Sequence, residues 1–271
     1  MDGSPDLGGF ADVDGAAEPG ALAGYLDTVR GVGAVAEWKE RSFALLDPRP
    51  GAELLDLGCG TGDDLLALAP RVAPGGRVVG VDASAAMVAE ARRRTAGHPG
   101  VEVHRGDGHR LDLPDGSLDG ARAERVLLHV PDPAVVVAEM VRVLRPGGRL
   151  VVAEPDWGTL VIDAPDAAAS RAVAAAGAGR FRSPFAGRTL RRLLIAAGLT
   201  DVEVAARALV IHDPDAAEAV FQLADAADRA VGAGSLTPAE ATAWRDGVAR
   251  AGAAGTLLVA MTAFMASGRR P

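Results

Sequence analysis

The residues with the clearest capacity for chemistry are three alternate glycines that follow a short apolar run. Gly58, Gly60 and Gly62 stand in the string Leu-Asp-Leu-Gly-Cys-Gly-Thr-Gly-Asp-Asp. Glycine lacks a Cβ, so the backbone of such a turn can approach a ligand closely. The spacing differs from the dinucleotide pattern Gly-x-Gly-x-x-Gly, and Asp63 and Asp64 would repel a pyrophosphate at the helix start. The motif therefore predicts a ligand with a positively charged sulfonium and ammonium.

An acid ends the second predicted strand, twenty residues after the last of these glycines. Asp82 closes the apolar run at residues 77–81 and can accept hydrogen bonds from both hydroxyls of a ribose. Taken alone, the same aspartate could cap the following helix. Together with the glycine motif, the ribose role is favoured.

The third predicted strand also ends in an acid. Asp107 can accept a hydrogen bond from an exocyclic adenine amine, although an Asp-Gly pair with Gly108 could simply form a turn. Met87, on the helix after Asp82, either packs on the adenine face or fills the core.

A coarse secondary-structure reading places these residues at strand ends. Short apolar runs alternate with longer stretches of helical spacing, which is typical of a parallel sheet covered on both faces. Right-handed crossovers then predict an α/β fold with a doubly wound sheet. The predicted strands are residues 53–58, 77–81, 101–105, 118–123 and 149–154, and the helices between them are residues 64–73, 85–95 and 133–144.

The rest of the chain is predicted to flank this core. Residues 1–17 form a flexible arm, and residues 18–46 form a lid of two helices that breaks at Gly31-Val32-Gly33. Residues 47–271 form the main domain, in which the segments 155–187 and 213–251 cover the substrate. Segment 155–187 is irregular apart from an alanine-rich helix near 167–176. The remaining elements are helices at 189–197, 215–231 and 238–251 and strands at 202–211 and 256–266.

Composition and charge exclude several classes of function. The formal net charge of −8 repels polyphosphate and anionic membranes, so neither nucleic acid nor a membrane is expected as a partner. The single cysteine, Cys59, excludes an internal disulfide and clusters built from this chain's cysteines, and the five histidines lack metal-ligand spacing, so no metal is predicted. Without an apolar leader or an apolar run of about 18 residues, the expected localisation is cytoplasmic.

Four sequence blocks occur in an order that has a known parallel. They are Asp-Leu-Gly-Cys-Gly-Thr-Gly at 56–62, Val-Asp-Ala-Ser at 81–84, Gly-Asp-Gly at 106–108 with Leu-Pro-Asp-Gly-Ser-Leu-Asp at 113–119, and Val-Leu-Arg-Pro-Gly-Gly-Arg-Leu at 143–150. From about residue 47 to residue 153 the chain resembles the class I S-adenosylmethionine-dependent methyltransferases, within them the ubiquinone/menaquinone-methyltransferase-like group of small-molecule enzymes.

This resemblance implies a fold, a cofactor and a set of cofactor-binding residues. The fold is a Rossmann-like, seven-stranded, mostly parallel sheet of order 3-2-1-4-5-7-6, with N-terminal lid helices, a helical insertion before the last strand and residues 256–266 as the antiparallel strand. The family commonly has alanine where this chain has Gly108. The implied S-adenosylmethionine site comprises Asp56, Gly58, Gly60 and Gly62 for the methionine part, Asp82 with Ala83 at the ribose, and Met87, Asp107 and Gly108 at the adenine.

The resemblance implies methyl transfer to O, N or a nucleophilic carbon of a small aromatic or apolar metabolite. A base is optional, since the sulfonium supplies the driving force and catalysis needs mainly orientation. Candidate catalytic residues are Tyr25 and His129, although a structural role is the commoner one for such residues. Aromatic residues outside the cofactor core either line the acceptor pocket or pack the added helices: Tyr25, Trp38, Trp157, Phe181 and Phe185. Arg180, Arg182 and Arg188 could bind a carboxylate or phosphate of the substrate, although such arginines are more often solvated at the surface.

Other functions remain open at this point. A protein or RNA methyltransferase is disfavoured by the acidic charge and the single lysine, Lys39. A non-catalytic S-adenosylmethionine-binding partner would share every cofactor residue. A nicotinamide oxidoreductase is disfavoured by the glycine spacing. The sequence is compatible with a homodimer and does not identify the acceptor.

Overall fold

The computed structural model describes residues 7–15, 19–30 and 33–271. The predicted arm and lid therefore lie partly outside the described residues, at 1–6 and 16–18, as do Gly31 and Val32 of the predicted break between the lid helices. Two short 3-10 helices, Leu7–Ala11 and Val13–Gly15, precede helices α1 (Pro19–Arg30) and α2 (Gly33–Leu46). Leu7 and Val13 are buried. The flexibility of the arm stays a prediction.

Within the described residues, seven strands form one sheet in the order 3-2-1-4-5-7-6, as the family resemblance implied. The strands are β1 (Glu53–Leu57), β2 (Arg77–Asp82), β3 (Val101–Arg105), β4 (Leu118–Glu124), β5 (Leu144–Asp163), β6 (Thr200–Ile211) and β7 (Leu258–Arg269). Strands β1 to β5 pair in parallel, and β7 runs antiparallel to both β5 and β6. The carboxyl ends of β1 to β5 thus meet at one edge, where ligands bind in open α/β sheets.

Helices cover both faces of the sheet, and several begin at a capping side chain. Ser84 caps α4 by accepting a hydrogen bond from the Met87 N–H, and Asp132 caps α5 ahead of Pro133. The helices of the main domain are α3 (Asp63–Val72), α4 (Ala85–Arg94), α5 (Pro133–Val143), α6 (Ala167–Ala178), α7 (Ala186–Ala196), α8 (Pro214–Phe221), α9 (Leu223–Gly232) and α10 (Pro238–Ala253).

The core divides along the two faces of the sheet because alternate strand residues point to opposite sides. Leu55 of β1 belongs to the larger cluster, with Val136 and Met140 of α5. Leu54 belongs to the second cluster, with Leu65 and other residues of α3. All five are at most 1% exposed, so β1 is covered on both sides and holds the glycine loop rigidly at its end.

Three predictions about the C-terminal half need correction. Strand β5 continues to Asp163, so residues 155–163 are not irregular; they pair with β7 on both sides of a register shift between Asp156 and Val161. The predicted helix 215–231 is two helices, because Gln222 takes a left-handed conformation with φ 51°. Helix α7 begins at Ala186, not at residue 189.

Candidate active site

A single cavity joins the glycine loop to a group of aromatic side chains. It has a volume of about 330 Å³ and lies at the carboxyl ends of the parallel strands. Eight of the nine predicted cofactor residues line it: Asp56, Gly58, Gly60, Asp82, Ala83, Met87, Asp107 and Gly108. The predicted catalytic residues Tyr25 and His129 line the same cavity.

The glycine loop needs glycine for its backbone conformation. Gly58, Gly60 and Gly62 have φ values of 68°, 51° and 86°, a region that side chains with a Cβ rarely adopt. A Cβ on Gly58 would also collide with Val126, and one on Gly62 would lie 3.1 Å from the Cβ of Ala91. Gly62 thus serves the packing of α3 against α4, while Gly58 and Gly60 face the cavity.

Asp82 organises the loop on which it was predicted to act. Its carboxylate accepts hydrogen bonds of 2.9 Å from the backbone N–H of Gly60 and of 2.9 Å from that of Ser84. Burial is the largest influence on this carboxyl and raises its pKa. Asp82 therefore fixes the turn between β1 and α3 in addition to facing the cavity.

A buried charge cluster lies beneath the loop. The Arg122 guanidinium of β4 donates to Asp56 (2.8 Å), Asp64 (2.7 Å) and Glu124 (2.7 Å). Lys39 of α2 donates to Asp64 (2.6 Å) and to Glu124 (3.3 Å). Burial raises the pKa of Asp56 to about 6, whereas Arg122 and Lys39 hold the pKa of Asp64 far below its usual range. The cations of Arg122 and Lys39 are thus paired with three carboxylates, and the Lys39 ion pairs attach helix α2 to the core.

This cluster changes the interpretation of the two acids that follow the glycines. Asp64 is bound to Lys39 and Arg122, and Asp63 pairs with Arg94 at 3.1 Å and accepts from the Thr61 hydroxyl. Their negative charges are balanced by cations of the protein, so the two aspartates are not free to attract a cationic ligand as the glycine motif had suggested.

At the end of the cavity predicted to hold the adenine, Asp107 is polar and Met87 is apolar. Asp107 accepts from the backbone N–H of His109 at 2.9 Å and contacts its ring Nδ1 at 2.7 Å, which lowers the pKa of the carboxyl. An added Cβ on Gly108 would lie 3.2 Å from Leu57, which explains a glycine there. Met87 is buried and packs with Val13 and other N-terminal residues.

The N-terminal segment is pinned across this end by Asp14. Its carboxylate accepts from the Ser84 hydroxyl (2.6 Å) and from the backbone N–H groups of Ala85 (2.8 Å) and Ala86 (3.1 Å) at the start of α4. These bonds lower the pKa of Asp14, as expected for an anion at a helix N-terminus. Arg105 adds an ion pair at 3.2 Å.

The opposite end of the cavity is walled by a chain of ring contacts. The ring centroids of Phe10 and Tyr25 are 5.9 Å apart, those of Phe10 and His129 5.6 Å, those of His129 and Phe181 5.5 Å, and those of Phe181 and Trp157 4.7 Å. Such spacings are those of offset and edge-to-face aromatic pairs. Tyr25, Trp38, Trp157 and Phe181 line the cavity as predicted.

Neither predicted base is arranged as a ready proton acceptor. The Tyr25 hydroxyl donates to the Val220 carbonyl at 3.2 Å, and burial raises its pKa. Burial, helped by Arg125, lowers the pKa of His129 to about 3, so the imidazole is neutral. Its Nδ1 is buried and has no hydrogen-bond partner among the described residues.

Two residues at strand ends add polar groups to the aromatic end. Glu154 of β5 is 1% exposed. Its Oε1 accepts from the backbone N–H groups of Val126 (2.8 Å) and Leu127 (2.6 Å). Burial raises the pKa of Glu154 to about 8. Arg125, just after β4, has φ 56°, a strained conformation for a residue with a Cβ, of the kind found at functional sites.

Several residues that were candidates for contacting the substrate do not line the cavity. Phe185 is 47% exposed, does not line the cavity and lies under Arg188, whose guanidinium carbon is 4.9 Å from the ring centroid. Arg188 is paired with Asp156, and Arg180 donates to Gln222 at 3.0 Å; neither lines the cavity. Arg182 does not line the cavity either, and Arg188 joins α7 to β5 through Asp156.

Sequence reasoning also missed residues that do line the cavity. They are Phe10, Lys39, Arg122, Glu124, Arg125 and Glu154. A signal existed for the last three, because polar residues just after a buried parallel strand lie at the ligand-binding edge of the sheet. Lys39 and Phe10 belong to N-terminal helices, and no local sequence pattern predicts where these helices pack on the sheet.

In the described part of the chain, no helix combines the length and the apolar character needed to cross a membrane. In the same residues, no three His, Cys, Asp or Glu side chains are grouped as a metal site.

Comparisons with known proteins agree with the geometry. A family model described as "Methyltransferase domain" matches residues 55–152. An uncharacterised 37.1 kDa protein of transposon TN4556 from Streptomyces fradiae is 46% identical over 242 residues, which cover 89% of this chain and 69% of that protein. Nocamycin O-methyltransferase from Saccharothrix syringae is 38% identical over 217 residues, which cover 72% of this chain and 75% of that enzyme.

A solved structure shares the fold. The phosphoethanolamine N-methyltransferase 2 of Haemonchus contortus, in complex with S-adenosyl-L-methionine, superposes with a TM-score of 0.54 at 17% identity. The match covers 86% of this chain and 52% of that one. At this identity the likeness concerns the fold alone.

Proposed function

Because the chain belongs to the class I S-adenosylmethionine-dependent methyltransferases, we propose that it methylates a small, mostly apolar acceptor held at the aromatic end of its cavity. The observation that carries this proposal is the continuity of one cavity of about 330 Å³ from the glycine loop to the rings of Tyr25, Phe181 and Trp157. Apolar rings suit an apolar or aromatic acceptor and stabilise a cationic methyl group.

The loop fits the cofactor of this family. Gly58 and Gly60 have positive φ and present backbone to the cavity, and the Gly60 turn is held by Asp82. In the proposed arrangement, Asp56 and the glycines hold the methionine part, Asp82 and Ala83 lie at the ribose, and Met87, Asp107 and Gly108 lie at the adenine. When bound, S-adenosylmethionine supplies an electrophilic methyl group on its sulfonium.

The N-terminal helices are proposed to close over both ligands. Lys39 of α2 binds Asp64, and Asp27 of α1 pairs with Arg94 at 2.9 Å, so two ion pairs hold this lid. From the predicted covering segments, Trp157 and Phe181 of 155–187 and Val220 of 213–251 reach the cavity. Closure excludes water and orients the acceptor oxygen, nitrogen or carbon for in-line attack.

The relative from Saccharothrix syringae supports a small-molecule acceptor, since its name assigns it to nocamycin. The test is calorimetry with S-adenosylmethionine, S-adenosylhomocysteine and NAD, followed by transfer of a labelled methyl group to a panel of aromatic metabolites. We expect micromolar binding of the first two and none of NAD. Failure to bind S-adenosylmethionine would overturn the proposal, and transfer to protein or RNA in preference to small molecules would redirect it.

A further inference from the structure

Glu154, His129 and Trp157 each carry a buried polar atom that has no hydrogen-bond partner among the described residues. The atoms are Glu154 Oε2, His129 Nδ1 and Trp157 Nε1, and all three residues line the cavity. Buried polar groups in proteins are almost always hydrogen-bonded, so unpaired ones at a cavity indicate a missing polar partner. A polar group of a bound ligand would supply such a partner.

The three residues belong to one neighbourhood. Trp157 and His129 flank Phe181, with ring centroids at 4.7 Å and 5.5 Å from it. Glu154 precedes Trp157 by three residues, and its Oε1 is held by two N–H groups of the turn that leads to His129. One carboxyl oxygen is thus fixed by the backbone while the other is left without a partner in the described structure.

We propose that the acceptor is a phenol or an enol and that Glu154 is the catalytic residue that takes its proton. The proposal rests on the methyltransferase function and names the acceptor atom and the base, both of which that function leaves open. In this step the hydroxyl oxygen bonds to the methyl carbon, the methyl–sulfur bond breaks with its electron pair going to sulfur, and the proton moves to Glu154 Oε2. The products are an aryl or enol methyl ether, a neutral thioether and a protonated Glu154.

The charges around the aromatic end favour oxygen over nitrogen. Arg125 lines the cavity and its positive charge already lowers the pKa of His129. Asp56, Asp64 and Glu124 are bound to Arg122 or Lys39, so they offer no free counter-charge. A methylated amine carries a full positive charge beside Arg125 until it loses a proton, whereas a hydroxyl that gives its proton to Glu154 as the methyl group arrives forms a neutral ether directly.

The ionisation of Glu154 suits this role. Burial raises its pKa to about 8, and the backbone N–H groups of Leu127, Val126 and Leu128 and then Arg125 oppose that rise. A base works best when its pKa is close to the working pH. Phe264 of β7 lies opposite Glu154. The other titratable and charged residues that line the same cavity are Tyr25, Lys39, Asp56, Cys59, Asp63, Asp64, Asp82, Asp107, Arg122, Glu124, Arg125, His129 and Arg207.

The test compares Glu154→Gln with the wild type. Glutamine keeps an oxygen for the Val126 and Leu127 N–H groups but cannot take a proton. The probes are 2-naphthol and 2-naphthylamine, two bicyclic rings that differ in the acceptor atom, each joined by smaller phenols and their amine counterparts. We expect the wild type to methylate the phenols and to discriminate against the amines. In E154Q, kcat should fall by about 10² to 10⁴ and lose its rise towards pH 8, with S-adenosylmethionine affinity unchanged.

Glu139→Gln is the matched control. Glu139 also accepts from a backbone N–H, that of Leu111 at 2.9 Å, but does not line the cavity, so kcat and its pH profile should persist. A readout independent of turnover is infrared difference spectroscopy of the cofactor-free protein. A protonated carboxyl band should disappear between about pH 7 and 9 in the wild type and be missing from E154Q.

Three results would overturn the proposal. An E154Q variant with the parent rate and pH profile would leave Glu154 as a holder of the turn only. Preferred methylation of the amines would refute the oxygen acceptor. Transfer to no probe, with S-adenosylmethionine bound, would also contradict it and leave the methyltransferase function standing; absence of S-adenosylmethionine binding would instead refute that function.

Discussion

The guanidinium of Arg122 lies 2.8 Å from the carboxylate of Asp56, and the two side chains are 1% and 3% exposed. They occupy paired positions on the neighbouring parallel strands β4 and β1. The pair lies directly below the glycine loop that starts at Gly58. Position in the sheet, rather than proximity in sequence, therefore places a charge under the cofactor site.

Arg122→Met should strongly destabilise the protein. The substitution leaves Asp56, Asp64 and Glu124 with Lys39 alone, and breaking a buried ion pair on one side costs about 3 to 5 kcal/mol. The free energy of unfolding in urea measures the effect. Arg145→Met is the control, since Arg145 pairs with Asp119 with both side chains about 40% exposed, and we expect a loss below about 1 kcal/mol. Equal losses in the two variants would contradict the importance of burial.

Asp82→Ala should weaken S-adenosylmethionine binding by about 1.5 to 3 kcal/mol, the range for hydrogen bonds to a charged group. This is roughly a 10- to 150-fold rise in Kd. The structure adds a second reason, because the variant also frees the Gly60 and Ser84 N–H groups. Calorimetry with Asp112→Ala as an exposed control decides the matter. An unchanged Kd in Asp82→Ala would exclude the ribose role.

Sequence alone predicts the cofactor half of the molecule well, for a physical reason. The glycine loop, Asp82 and Asp107 lie at the ends of short strands whose apolar runs and turn residues are local signals. After residue 154, local sequence signals no longer predict the strand correctly. Pro155, Trp157 and Gly158 interrupt the strand pattern, yet pairing with β7, a hundred residues later, keeps β5 extended to Asp163.

The acceptor half depends on contacts that no local pattern contains. Gln222 breaks a helix in a left-handed conformation although it is not a glycine, while its side chain accepts from Arg180. Arg122 lies within a predicted strand, and nothing in the neighbouring sequence indicates that it pairs with Asp56 of β1 and Asp64 of α3. Phe185 fits the aromatic pattern but is exposed to solvent, because residue type alone does not predict where a side chain points.

Tyr25→Phe and His129→Ala test the two bases predicted from sequence, which stay a prediction. The Tyr25 hydroxyl is already committed to the Val220 carbonyl, so we expect Tyr25→Phe to lower kcat less than about tenfold and to loosen the lid by about 1 kcal/mol. His129→Ala should raise KM for the acceptor, since Nδ1 lacks a partner. Steady-state kinetics separate these effects. A hundredfold fall in kcat at constant KM in Tyr25→Phe would restore it as a base.

The lid should slow its amide exchange when both ligands are bound. Helices α1 and α2 are held by the Asp27–Arg94 and Lys39–Asp64 pairs, and the former is partly exposed, so opening is cheap in the free protein. Hydrogen exchange with S-adenosylhomocysteine and an acceptor measures the change at 18–46, and α5 serves as an internal reference. Asp27→Asn should speed exchange in α1. Identical protection in free and bound protein would refute a ligand-dependent lid.

Glu154→Gln should make the protein relatively more stable as the pH rises. Burial moves the pKa of Glu154 from 4.5 to about 8 in the folded protein. A raised pKa means that the contribution to stability is complete below pH 4.5 and is lost as the pH rises through 8. The loss approaches about 5 kcal/mol, since each unit of pKa corresponds to about 1.36 kcal/mol.

E154Q has no such loss, so its free energy of unfolding should exceed that of the wild type by an amount that grows from pH 5 to pH 9. Glu139→Gln should instead lower the free energy of unfolding by an amount that stays constant from pH 5 to pH 9, because Arg142 lowers the pKa of Glu139 and its contribution is already complete above pH 4.5. Urea unfolding at pH 5, 7 and 9 compares the three proteins. Parallel curves for wild type and E154Q would show that Glu154 is ionised throughout, and the proton transfer proposed for it would then lack its physical basis.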